Sequence, residues 1–131
     1  MKNILRKFII LTFFLIGMTL MSNASVTIHL KVSITDSCLS TWTGDYCAHI
    51  YVTFGTNHYC TYTICGLQAG GVVNDIQYQC DIPPNDTNKD YDIYVTVCRD
   101  VNPPTCCASW YSPPLFYYQL SSVYAFSLTL H

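Results

Sequence analysis

Apolar side chains fall on every second residue in one segment after another, a period of two that suits strands with one buried face and suits no helix. Val26, Ile28, Leu30, Val32 and Ile34 alternate with Thr27, His29, Lys31, Ser33 and Thr35. Tyr46, Ala48, Ile50, Val52 and Phe54 face one way and Cys47, His49, Tyr51 and Thr53 the other. Gly55-Thr56-Asn57 then supplies a turn, and His58 to Cys65 returns as the hairpin partner. Ile76, Tyr78, Cys80 and Ile82 form a further inward set, as do Tyr91, Ile93, Val95 and Val97. The tail offers two more strands, Leu115 to Leu120 and Val123 to Leu130, the second with Tyr124, Phe126, Leu128 and Leu130 inward. Turn-rich pieces separate them. The expected fold class is all-β: a single antiparallel β-sandwich of about seven strands.

Residues 1–24 read as an export signal. Lys2, Arg6 and Lys7 precede an apolar run from Phe8 to Met21, and Ser22-Asn23-Ala24 offers small residues for cleavage before Ser25. That run is shorter than the ~20 apolar residues of a spanning helix. The sandwich domain is then 25–131, secreted, or periplasmic in a Gram-negative bacterium. All eight cysteines (Cys38, Cys47, Cys60, Cys65, Cys80, Cys98, Cys106 and Cys107) lie in it. An even number on a small exported chain implies a disulfide framework, expected as four bridges. Two pairings suggest themselves: Cys38 with Cys47 across a short loop, and Cys98 with Cys106 or Cys107. The absence of any Cys-x-x-Cys argues against zinc. The exported part carries three basic residues, Lys31, Lys89 and Arg99, against eight Asp and no Glu, a net charge of −5. Nucleic acid is thereby excluded as a partner, because a phosphate backbone requires clustered Lys and Arg.

Several words of the chain resemble the calcium- and phospholipid-binding β-sandwich family first described in protein kinase C. They are Leu30-Lys-Val-Ser-Ile34, then Gly44-Asp45-Tyr46 leading into Ile50-Tyr-Val-Thr-Phe-Gly55, then Asn74-Asp75-Ile76-Gln77-Tyr78, and Tyr91-Asp-Ile-Tyr-Val-Thr-Val97 followed by Asp100-Val-Asn102. The likeness spans about residues 28–102. It implies a calcium site on Asp36, Asp45, Asp100 and Asn102, since calcium takes six to eight hard oxygens. Calcium would be the only cofactor. The chain departs from the family after Val97, where Pro103, Pro104 and two Cys replace further Asp and no basic headgroup patch follows.

Other candidates are weaker. Asp86-x-Asn88-x-Asp90-x-Asp92 opens like a helix-loop-helix calcium loop, but Tyr91 and Val97 stand where Gly and Glu are required. Asn85-Asp86-Thr87 is a glycosylation sequon if the source is eukaryotic. His29, His49 and His58 fall on polar faces or at a strand start, with no convincing ligand register. No nucleophile, base and orienting group come together in the sequence, so the chain is not expected to be an enzyme, a small extracellular hydrolase being the last alternative. The aromatic content exceeds what inward positions consume. Tyr51 and Tyr94 fall on outward positions, while Trp42, Trp110 and Tyr111 fall in segments read as loops, where rigid amphipathic rings suit a partner or a sugar. The expected function is therefore a secreted, non-catalytic binding or structural module presenting loop aromatics. Its partner would be an extracellular protein, a glycan or a membrane surface. The alternative is a calcium-assisted membrane- or lipid-binding module.

Overall fold

The structure is a computed structural model that describes residues 24–82 and 90–131. Residues 1–23 of the export signal and the Asn85 sequon lie outside the described residues. Seven strands follow one another: β1 (Ala24–Asp36), β2 (Tyr46–Phe54), β3 (Asn57–Leu67), β4 (Val73–Ile82), β5 (Tyr91–Arg99), β6 (Cys107–Tyr111) and β7 (Val123–Leu130), with a short 3-10 turn at Tyr117–Gln119. They form two sheets, β4-β1-β7 and β3-β2-β5-β6. The fold is the expected sandwich, and the alternation explains it: Ile28, Leu30 and Val32 of β1 face Ile50, Val52, Ile93 and Val95 of the other layer, all fully buried. Among the described residues, no helix is long and apolar enough to cross a membrane.

Three expectations are corrected. The sandwich is not wholly antiparallel, because β7 runs parallel to β1, from His29 opposite Val123 to Asp36 opposite Leu130. Leu115 to Leu120 is not a strand: Pro113 and Pro114 cannot donate to a ladder, so Leu115 makes one isolated bridge to Tyr91, and the chain turns at Tyr117–Gln119. The last strand of the four-stranded sheet is instead β6, which holds Trp110 and Tyr111, both read from sequence as loop residues.

All eight cysteines are paired, as Cys38–Cys106, Cys47–Cys65, Cys60–Cys80 and Cys98–Cys107. The last is one of the expected pairings. Cys38 does not meet Cys47, because the chain between them leaves one sheet for the other; Cys38 reaches the loop before β6, and Cys47 crosses to β3. Four bridges place the chain in an oxidising environment.

Aromatic rings seal the sandwich's open sides. On one, Tyr62 of β3 stacks on Tyr78 of β4 with centroids 4.7 Å apart, beside the Cys60–Cys80 bridge joining the same two strands. The buried Tyr78 hydroxyl has no hydrogen-bond partner among the described residues, and burial pushes its pKa up. On the other side, Trp110 of β6 stacks on Phe126 of β7 at 4.1 Å, with Tyr124 alongside at 6.2 Å. Phe54, Tyr59, Tyr91 and Tyr117 cluster near the Gly55-Thr56 turn, with centroid distances of 5.4 to 6.3 Å.

Candidate binding face

The outward side of the four-stranded sheet carries a different aromatic group. Alternation sends Tyr51 of β2 and Tyr94 of β5 outward, and antiparallel register sets them side by side, with Tyr111 of β6 next in line and Thr61 of β3 on the far flank. Cross-strand neighbours on one sheet face lie within side-chain reach, and here the rings form a continuous row. His58 meets Tyr51 edge-on at 6.1 Å, Tyr51 stacks on Tyr94 at 5.8 Å, and Tyr94 stacks on Tyr111 at 4.3 Å. The row ends on β6, the edge of the sheet, so Tyr111 has one ring face against Tyr94 and is 66% exposed.

A row of hydroxyls and one imidazole runs beneath, formed by Thr63, His49, Thr96 and Ser109 in register. His49 Nδ1 lies 3.0 Å from Thr63 Oγ1, and Ser109 Oγ lies 3.0 Å from both Thr96 Oγ1 and the Tyr94 hydroxyl. Hydrogen bonds from Ser109, Thr96 and Tyr111 hold the Tyr94 hydroxyl below its usual pKa, while donating to Tyr94 raises that of Tyr111. Tyr94 and Tyr111 are therefore linked through their polar tips, while Tyr51 joins the row through ring contacts alone. In the row beyond, Cys65–Cys47 and Cys98–Cys107 lie abreast, Cys47 being the register partner of Cys98, so one covalent rung ties β2 to β3 and another ties β5 to β6.

The other residues singled out from sequence go elsewhere. Trp42 is half-buried: its indole N–H donates to the Asp45 carbonyl at 3.2 Å, the Arg99 guanidinium lies 5.7 Å from its ring, and its ring fills the space a side chain on Gly44 would need. Trp110 turns inward onto Phe126. Both tryptophans, expected as projecting loop contacts, are half-buried and pack against the core cluster. Surplus aromatics are needed at the open sides of two short sheets because the strand interiors cannot cover them.

The acidic positions do not assemble. Asp36 binds Arg99 through both oxygens, at 2.8 Å to Nε and 2.9 Å to Nη2, and also accepts from the Tyr46 hydroxyl and the Cys38 N–H. Arg99 in turn donates to the Ser40 hydroxyl and carbonyl, both at 2.6 Å. Arg99 holds the Asp36 carboxyl down to a pKa of about 2, and burial with Asp36 alongside pushes the Tyr46 hydroxyl up to about 12. Asp36 is thus an anchor for the end of the sandwich, its oxygens occupied by a resident cation. Asp45 and Asp100 meet only through their backbones, by a 3.0 Å hydrogen bond, and Asn102 is exposed beyond them. Among the described residues, the groupings with metal-ligand spacing are Asp36 with Cys38 and Cys106, and Asp100 with Cys47 and Cys65. In each, both sulfurs are tied up in bridges and offer no thiolate. The histidines are dispersed: His29 pairs with Asp75 at 2.6 Å on the three-stranded sheet, while His49 and His58 lie on the other.

Sequence reasoning identified Tyr51 and Tyr94 as outward and named Tyr111, but missed that they join with His58 and Ser109. The missing signal was the pairing of β5 with a strand only five residues long. Neither a family model nor a curated protein nor a solved structure matches this chain.

Proposed function

We propose that this chain is an exported, non-catalytic binding module whose contact surface is the tyrosine row of the four-stranded sheet, and that its ligand is a carbohydrate. The observation that carries the reading is the row Tyr51–Tyr94–Tyr111, which continues across three strands and ends on an open ring face. A pyranose presents a C–H face that packs on such a ring and a rim of hydroxyls that needs hydrogen-bonding groups beside it. Tyr111 supplies the first, and Ser109, Thr96 and His49 supply the second. Rigidity favours binding, because groups already held in place lose little entropy on contact. The bridges and hydroxyl contacts around the row provide that rigidity.

The test is a panel of immobilised glycans, followed by titration calorimetry on any saccharide retained. Tyr111→Ala is expected to weaken binding at least tenfold and Tyr94→Ala similarly, with little change in melting temperature for Tyr111→Ala. A wild type that retains no saccharide, or a hit bound equally by both variants, overturns the reading.

A further inference from the structure

A sheet's edge strand exposes unpaired main-chain groups, and stable proteins guard such edges with charge, bulges, shortness or covering elements. Three of the four edges here carry a guard. β3 is bulged twice in its pairing with β2, between the Tyr46 and Ala48 positions and between Val52 and Thr53. β4 bears Asp75 and Asp81 and is bridged to β3 through Cys60–Cys80. β6 is only five residues long. β7 has none of these: its sequence, VYAFSLTL, contains no charge, no Pro and no Gly over eight residues. The Ser37 N–H donates to the Leu130 carbonyl at 3.1 Å, which fixes the phase of the strand. Even-numbered residues turn their main-chain groups toward β1. Val123, Ala125, Ser127 and Thr129 turn theirs to the open side, and no strand pairs there among the described residues.

We infer that β7 pairs antiparallel with β7 of a second copy of this chain, about a two-fold axis through Phe126, to make one six-stranded sheet. In that register Val123 faces Thr129 of the copy and Ala125 faces Ser127, so every open-side residue enters a hydrogen-bonded pair. On the outer face the facing side chains are small or β-branched, on the inner face Tyr124 meets Leu128 of the copy and Phe126 meets its counterpart, and none is charged. Lys31 and Asp75, which continue the Ala125 row inward, meet Ser33 and Val73 beyond the Ser127 of the copy, so no like charges are juxtaposed. An uncharged strand offers nothing to select a charged partner, whereas it is complementary to itself. Such a contact is isologous and closes at two, because the outer edges of the joined sheet are the guarded β4 strands. A strand edge alone buries less than a standard interface, so dissociation is expected on the order of micromolar concentrations.

The experiment is sedimentation velocity on the purified, disulfide-intact chain from low to high micromolar concentration, alongside Ser127→Pro and Ser127→Lys. Proline at an open-side position removes a donor that the β1 ladder does not use. Lysine at 127 sets two ammonium groups diagonally across the axis. A reversible monomer–dimer equilibrium in wild type is expected, with both variants monomeric over the same range. Hydrogen exchange should give the amides of Val123, Ala125, Ser127 and Thr129 a protection that rises with concentration. If Ser127→Pro fails to fold, Ser127→Lys and the exchange pattern decide. A wild type monomeric throughout, a dimer that persists in Ser127→Lys, or open-ended oligomers would each overturn the inference.

Discussion

Each bridge stabilises mainly by shortening the loops the unfolded chain can explore, so its worth depends on the shortest path that remains when it is cut. Cys38–Cys106 spans 68 residues, and Cys98–Cys107 spans nine. Taken alone, the first would be worth about 4.4 kcal/mol and the second about 2.6 kcal/mol. The other three bridges shorten the first path. It runs from Cys38 to Cys47, across to Cys65, back to Cys60, across to Cys80, on to Cys98, and across to Cys107 beside Cys106. About 33 residues are covered in this way, which lowers the expected loss to about 3.7 kcal/mol. Replacing both members of each pair by Ala should therefore destabilise by about 3.7 and 2.6 kcal/mol respectively. Guanidinium unfolding under non-reducing conditions measures both, and m should rise more for the longer loop as the unfolded state expands. Equal losses, or a larger loss from the nine-residue bridge, would refute the loop-entropy reasoning and point to native contacts around the sulfurs.

Three further outcomes follow from the packing. Trp110→Ala should cost about 3 kcal/mol, at the low end for aromatic truncation because the ring is half-buried, read as a shift in denaturant midpoint; an unchanged midpoint would return Trp110 to a surface role. Gly44→Ala brings a Cβ within 2.4 Å of the Trp42 ring, so it should destabilise by about 1–3 kcal/mol and shift the tryptophan fluorescence as the ring leaves Arg99. Asp36 titrates near 2 when folded and at 3.8 otherwise, so its contribution is fully present above about pH 4 and drains away as pH falls toward 2. Asp36→Asn should be less stable at neutral pH and flatter across that window, and a melting-temperature profile as steep as that of wild type would contradict the assignment.

Period-two patterning made β1, β2, β4, β5 and β7 legible with their correct inward faces, because each buries one side of a strand against a continuous core. β6 was not legible. Its five residues are too few for a period, and Pro103, Pro104, Pro113 and Pro114 on either side read as loop. Losing β6 also hid the binding face, since Tyr94 and Tyr111 become neighbours only once β6 is laid beside β5. The Cys38 partner was unreadable for a related reason: proximity in sequence says nothing about which sheet each flanking strand joins. Trp42 gave no sequence signal of its inward role, which depends on Arg99 arriving from the far end of β5.

The bridges enclose the chain from Cys38 to Cys107, so β1 and β7, the two strands that lie parallel to one another, fall outside every covalent ring. Loosening need not be all-or-none. Both terminal strands can peel together and leave a cross-linked remnant of β2 to β6, which gives the molecule two tiers of resistance. Mechanical pulling at the ends would meet a ladder of hydrogen bonds first and a chemical cage afterwards, and a protease admitted by the peeling would trim β1 and β7 while the caged remainder survived.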